Sequence, residues 1–165
     1  MVEIERVEDG SERFRTDATA RGLAVEIVER PEARSLVEAA ELLGIEPGEI
    51  VKSLVVKRHD GEYLFALIPG GRQISWPLLR AVVGVNKLRL PDEQAALEAT
   101  GYRRGTITPI GSATSWPIVA DERIVGRRIA MGAGVGGRSA FVDADALIAA
   151  YGATVADISV EEPAR

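Results

Sequence analysis

Ile50-Val51-Lys52-Ser53-Leu54-Val55-Val56-Lys57-Arg58, then His59-Asp60-Gly61-Glu62, then Tyr63-Leu64-Phe65-Ala66-Leu67-Ile68, is the stretch that decides the fold. Two runs of aliphatic and β-branched residues flank a polar tip containing Asp-Gly. That pattern predicts strands over residues 49–58 and 63–68, joined as a hairpin. Side chains alternate across a strand. Ile50, Lys52, Leu54 and Val56 therefore share one face, and Val51, Ser53 and Val55 the other. Both faces are mostly apolar, so the strand reads as central. Lys52 puts one ammonium inside this apolar run. Lysine is rarely buried without a partner. Either its head snorkels to water at the strand's start, or its charge meets an anion.

Working outward, helices and strands mix without strict βαβ alternation. Residues 11–21 read as a helix opened by Ser11 and ended by Gly22, followed by a strand over 24–28. Ser35-Leu36-Val37-Glu38 has capping-box form, with a helix to Leu43 closed by Gly44. Ser75 caps a helix through Val83, 87–90 is a short strand, and Pro91 starts a helix to Ala99. Strands follow over 118–120, 124–131 and 139–142. Asp143 caps a helix to Ala150, and 154–158 is the last strand. The first ten and last six residues read as frayed ends. Hairpins beside helices predict an α/β fold of the α+β kind, with a mixed, mainly antiparallel sheet and helices packed around it.

With 165 residues, 46% hydrophobic and 27% charged, the chain is expected to form one compact domain over residues 1–165. No apolar run approaches the roughly 20 residues that span a bilayer, and the N-terminus lacks a leader pattern. A cytoplasmic protein with no membrane partner is the expectation. There is no cysteine and one histidine. Disulfides, thiol nucleophiles, cysteine zinc sites and two-histidine metal sites are thereby excluded, and no metal or cofactor is expected. The net charge is −5, unevenly spread: residues 1–50 carry 13 acidic and 6 basic side chains, residues 51–142 carry 7 and 13. This asymmetry points to an anionic ligand or to ordinary surface variation.

The segment from Thr100 to Pro117 is long for a connection in a compact domain and rich in Gly, Pro, Thr and Ser. Gly101, Gly105 and Gly111 permit close backbone approach, Pro109 stiffens the path, and Tyr102, Thr106 and Ser112 supply hydroxyls. A ligand-cradling loop and a plain turn after a helix C-cap both satisfy the spacing. Gly132-Ala133-Gly134-Val135-Gly136-Gly137 matches G-x-G-x-x-G, yet a strand follows where a dinucleotide site needs a helix. It reads as a turn beside the ligand site. His59 reads as a solvated hairpin tip rather than a catalytic base. Asp143 and Asp145 read as capping residues. Trp76 reads as a core anchor at a helix start. Trp116 reads as a loop anchor or a pocket wall.

Lys52-Ser53-Leu54, Pro69-Gly70-Gly71, Thr100-Gly101-Tyr102, the Gly105-to-Pro109 G-x-x-x-P element, Pro109-Ile110-Gly111, Pro117 to Asp121 and Gly132 to Gly134 occur in the order found in one known family. The chain resembles the YbaK/ProX family, the prolyl-tRNA-synthetase-associated editing domain, from about residue 22 to 158. The resemblance implies a curved, partly barrel-like sheet surrounded by helices. It implies a trans-editing hydrolase that cleaves the ester joining a wrong amino acid to tRNA, with Cys, Pro, Ala and Ser esters all open. Lys52 and Gly101 match the residues tied to activity. Tyr102, Gly105, Thr106, Pro109, Gly111, Ser112, Gly132 and Gly134 would shape the aminoacyl site. The implied partners are the 3′ end of aminoacyl-tRNA and an aminoacyl-tRNA synthetase; oligomeric state is not set. Ser139 and Ala140 stand where some members carry an acid.

An editing site is needed because one pocket separates small amino acids poorly. On this reading Lys52 holds the terminal nucleotide's phosphate, backbone N–H groups of 101–111 stabilise the oxyanion, and water or a substrate group attacks. Two rivals remain: a tRNA-, nucleotide- or synthetase-binding module without hydrolysis, and a small esterase indifferent to RNA. Engagement of RNA through Arg103, Arg104, Arg127, Arg128 or Arg138 would weaken as salt rises.

Overall fold

The computed structural model describes residues 10–163. The opening hairpin is there: β2 (Val51–Arg58) pairs antiparallel with β3 (Tyr63–Pro69), Lys52 opposite Ile68. It sits inside a five-stranded sheet of order β5-β2-β3-β6-β9, with β5 (Leu88–Arg89), β6 (Ile118–Asp121) and β9 (Thr154–Ala156). The β3–β6 and β6–β9 pairs are parallel; the remaining ladders are antiparallel. A second sheet has the order β1-β8-β7, built from β1 (Val25–Glu29), β7 (Arg128–Gly132) and β8 (Arg138–Asp143). A parallel bridge between Ile50 and Ala130 joins the two sheets, which share one interior.

That interior holds the larger core. Val51 and Val55 from β2, Phe65 and Leu67 from β3, and Ile129 and Met131 from β7 meet Phe14 of α1 (Ser11–Ala20) and Leu147 of α5 (Ala144–Tyr151). A second core lies on the other face of the five-stranded sheet. Val56, Leu64, Ala66 and Ile68 pack there against Leu79 of α3 (Trp76–Val83) and Ile158. The strand is central, as the two apolar faces predict. Phe65 is fully buried, so its truncation to alanine costs about 3–5 kcal/mol.

Local chemistry sets most boundaries. Ser35 Oγ accepts from Glu38 N at 3.1 Å and starts α2 (Leu36–Leu43). Ser75 does the same for α3 and Asp92 for α4 (Glu93–Thr100). Left-handed glycines at 44, 84, 101 and 152 close α2 to α5, where an L side chain would be strained.

Four expectations need correction. Residues 124–131 are not one strand: a 3-10 turn covers Glu122–Ile124 and β7 begins only at Arg128. Asp121 forces the turn by accepting from Arg123 N at 3.0 Å. The fourth helix starts behind Asp92, not at Pro91. Two short strands, β4 (Arg72–Ile74) and β10 (Ser159–Glu161), pair with each other, so residues 160 and 161 are held rather than frayed. Gly10 is buried against Tyr102 and Gly134; residues 1–9 and 164–165 lie outside the described residues.

Candidate functional site

The start of β2, the Arg30-to-Leu43 segment, the 104–107 turn and the end of β7 enclose a cleft of about 420 Å³. That volume is within the range of small-molecule sites. Its floor is apolar: Leu36, Ala39, Leu43, Ile50, Val51, Leu54, Ile107, Ala130 and Met131. Its rim carries Arg30, Arg34, Lys52 and Arg104, and among the described residues no carboxylate lines it. An apolar floor under a cluster of cations suits a ligand with an anionic end and a small apolar end. Arg30 is fixed by Nε donating to Ser139 Oγ at 2.9 Å. Ser139 is buried in β8, so this cation is aimed by the second sheet. Ser53 Oγ also borders the cleft, buried and without a hydrogen-bond partner among the described residues.

Lys52 borders this cleft, but its amine is already engaged. Nζ donates to the carbonyl of Arg72 and pairs with Glu162 Oε1 at 3.0 Å. Both partners belong to the β4–β10 corner: Glu162 N donates to Gly71 O at 3.0 Å, and Arg72 Nε donates to Ser159 Oγ at 2.8 Å. The lysine is thus neither snorkelling free nor pointing unpaired at the glycine loop. A chain segment more than a hundred residues away holds it.

The expected glycine-loop residues divide into three groups. Gly105 and Gly132 line the cleft with Lys52. Gly105 is exposed at φ +86, with nothing within 4 Å of where a Cβ would stand, so a ligand can approach its backbone closely. Thr106 supports this turn: its Oγ1 donates to Arg103 O at 2.7 Å, and its carbonyl accepts from Gly134 N at 3.1 Å. Tyr102 and Gly134 are buried against each other and do not line the cleft. Burial pushes the Tyr102 phenol up to about 12, and its hydroxyl donates to Ile110 O at 2.7 Å.

Pro109, Gly111 and Ser112 line a different hollow, of about 510 Å³, against α1. Here Asp17 Oδ2 accepts from Gly111 N at 2.8 Å and from the Tyr151 hydroxyl, while Oδ1 accepts from Arg21 Nε at 3.0 Å. Burial raises the Asp17 carboxyl, but bonds from Tyr151, Gly111 and Arg21 outweigh it and hold the group below the usual carboxylate range. Burial and the Asp17 charge push the Tyr151 phenol upward. Arg13 completes the clasp, donating to Gly101 O at 2.6 Å and Gly111 O at 3.3 Å and lying over the Tyr102 ring. Gly101 caps α4, is held by Arg13 and does not line the cleft.

Other expected roles resolve simply. Asp143 accepts from Asp145 N at 3.0 Å, capping α5. Trp116 Nε1 donates to Ala99 O at 2.8 Å and its ring packs on Tyr63, which makes it an anchor. Trp76 packs at the start of α3 against the second core. His59 is exposed at the hairpin tip. β8 follows the glycine run directly, where a dinucleotide site would need a helix. Arg128 and Arg138 face Glu26 and Glu29, which reduces their charge for RNA. Arg30 and Arg34 were not singled out from sequence, although two cations four residues apart just ahead of a helix cap are a visible signal.

The sequence profile of the aminoacyl-tRNA editing domain matches residues 30–150. The chain belongs to that family. Among curated relatives, the proline–tRNA ligase of Thermosipho melanesiensis is 37% identical over 99 residues, covering 60% of this chain and 17% of the ligase. The ligase of Thermotoga neapolitana is 36% identical over 102 residues, covering 62% and 17%. This editing-domain chain thus spans about a sixth of the ligases it matches. A crystal structure of a candidate trans-editing enzyme for prolyl tRNA synthetase superposes with TM-score 0.84 at 29% identity, covering 95% of this chain and 99% of that one. The hypothetical protein APE2540 does so with TM-score 0.84 at 29% identity, covering 90% and 99%. Among the described residues of this editing domain no helix is long and apolar enough to cross a membrane, and no group of three His, Cys, Asp or Glu is placed to hold a metal.

Proposed function

We propose that the chain is an aminoacyl-tRNA deacylase acting in trans, and that the basic cleft is where it works. The observation that carries this reading is the pairing of Arg30, Arg34, Lys52 and Arg104 with an apolar floor in one cleft of an editing-domain fold. The cations hold the phosphates of the tRNA 3′ end. The apolar floor takes a small amino-acid side chain. The open backbone at Gly105 lies against the ester and offers N–H groups to the developing oxyanion. Water adds to the ester carbonyl carbon. The carbon–oxygen bond to the ribose then breaks, the ribose oxygen takes a proton, and the amino acid leaves as its carboxylate. No enzyme nucleophile enters this scheme.

Lys52 contributes charge at the cleft's edge once substrate phosphate competes with Glu162 for its amine. Lys52→Ala is expected to slow release of amino acid from a mischarged tRNA at least tenfold, about 1.4 kcal/mol of barrier. A panel of tRNAs charged with cysteine, proline, alanine and serine identifies the ester removed. Full rate in the variant overturns the role of Lys52. The engagement of Lys52 by Glu162 favours a second reading, binding without hydrolysis by a module that recruits tRNA or a synthetase. Wild-type protein that protects every charged tRNA in the panel from hydrolysis decides for it.

A further inference from the structure

A second basic hollow lies at the opposite end of β2. Lys57, Arg58, His59, Arg80, Lys87 and Arg89 line a groove of about 630 Å³ between the hairpin, the last turns of α3 and β5. No acid lines it. Arg58 pairs with Asp60 at 3.5 Å, and Glu62 is exposed on the same hairpin. By contrast, Lys57, Arg80, Lys87 and Arg89 form no ion pair among the described residues, whereas Arg21, Lys52, Arg123, Arg128 and Arg138 all do. Arg58 Nε is buried and spent on that Asp60 carboxylate, so it adds nothing to the free charge. Asn86 adds an amide to the same lining. The groove therefore concentrates unspent positive charge and donors, which is the footprint of a polyanion.

Its place on the sheet says which polyanion. Lys52, Leu54 and Arg58 share one face of β2. Lys52 borders the first cleft and Arg58 the groove. Six positions along the strand separate Lys52 from Arg58, about 20 Å at the usual rise. About six stacked nucleotides at ~3.4 Å each cover that distance. We propose that the groove docks the sugar–phosphate backbone of an RNA whose 3′ end enters the first cleft. The proposal rests on the deacylase reading for the identity of that RNA. Backbone contacts position a nucleic acid without reading its sequence, so the groove would serve several tRNAs alike.

The test uses the full chain and uncharged tRNA, with affinity followed by fluorescence anisotropy across a salt series. The variant is R80Q/K87Q/R89Q. The expected result is about tenfold or more weaker binding at low salt. The slope of log affinity against log salt should be shallower by about 2 to 3, one unit for each phosphate the variant no longer neutralises. A shorter arm uses aminoacyl-adenosine, which ends before the groove. Its hydrolysis should not change, while the KM for aminoacyl-tRNA rises. Unchanged tRNA affinity and slope overturn the proposal, as they would for a groove that binds a protein partner instead. Equal loss on aminoacyl-adenosine also overturns it. The single variant K87E, at an exposed position, gives the same reading if the triple variant misfolds. Failure of the deacylase reading is seen separately: wild-type protein then binds tRNA, weakens with the groove variant, and hydrolyses nothing.

Discussion

The two halves of the Thr100-to-Pro117 loop are built from the same residue types and end up in opposite circumstances. Around Gly105 the chain is exposed, lightly tied and open to the basic cleft. Around Gly111 it is buried, with its N–H on Asp17 and its carbonyl under Arg13. The contrast teaches that a glycine-rich stretch is not one functional unit. One half leaves its backbone available to a ligand, and the other spends its backbone on holding the loop to α1.

The strongest way to break that contrast is to add one methyl group to each half. At Gly111 a Cβ would stand 2.6 Å from the Arg13 backbone and from the Tyr102 hydroxyl, at φ +75. Gly111→Ala is expected to cost about 3 kcal/mol or more, read as a fall in denaturation midpoint. Gly105→Ala meets only the backbone strain, about 1 kcal/mol, and its larger effect should be on deacylation. Equal destabilisation by the two variants would dissolve the distinction.

Next comes Asp17, the hinge of the clasp. Asp17→Asn keeps the shape but weakens three charge-assisted bonds, for a loss of about 1–3 kcal/mol in chemical denaturation. The pH dependence has a definite sign. Asp17 is held below its ordinary value. Its contribution is thus fully present above the unfolded-state pKa of roughly 3.9 and fades as pH falls through the lower folded value. Asp121 behaves alike: burial pushes it up, and bonds from Ser159, Arg123 and Ile158 bring it below normal. Wild-type protein should lose stability in acid below about pH 5, and Asp17→Asn should lose less of it over the same window. An identical acid profile in the variant would remove Asp17 from the account.

Smaller effects sharpen the cleft side. Ser35→Ala removes the cap of the helix that walls the cleft, at about 1 kcal/mol. Glu162→Gln should change stability by less than that, because Glu162 is half exposed and such pairs are weak. It frees the Lys52 amine, so deacylation of charged tRNA should hold steady or rise. A clear fall in rate would instead make Glu162 part of the working site.

The hairpin of β2 and β3, the serine and aspartate caps and the glycine stops were legible because each depends on residues within a few positions. The β4–β10 pair was not, since three-residue strands gain their identity only from a partner 87 residues away along the chain. The cleft was half legible. Lys52, Gly105 and Gly132 stand out by residue type and line the cleft, whereas Gly101, Tyr102 and Gly134 lie outside its lining, in capping and packing positions. The clasp was invisible, because Asp17 and Gly111 lie 94 positions apart and no periodicity connects them. Nor does any local pattern reveal that Lys52 shares its proton-rich head with a glutamate near the other end of the described chain.

The first helix lies wholly outside residues 30–150, where the editing-domain resemblance is scored. Trimming to that window would leave the 108–112 backbone without its anchors and strip Phe14 from the larger core. A fragment cut that way should come out as a loosened globule with its tyrosines wet. Grafting this fold onto a synthetase therefore means carrying the leading helix across the seam.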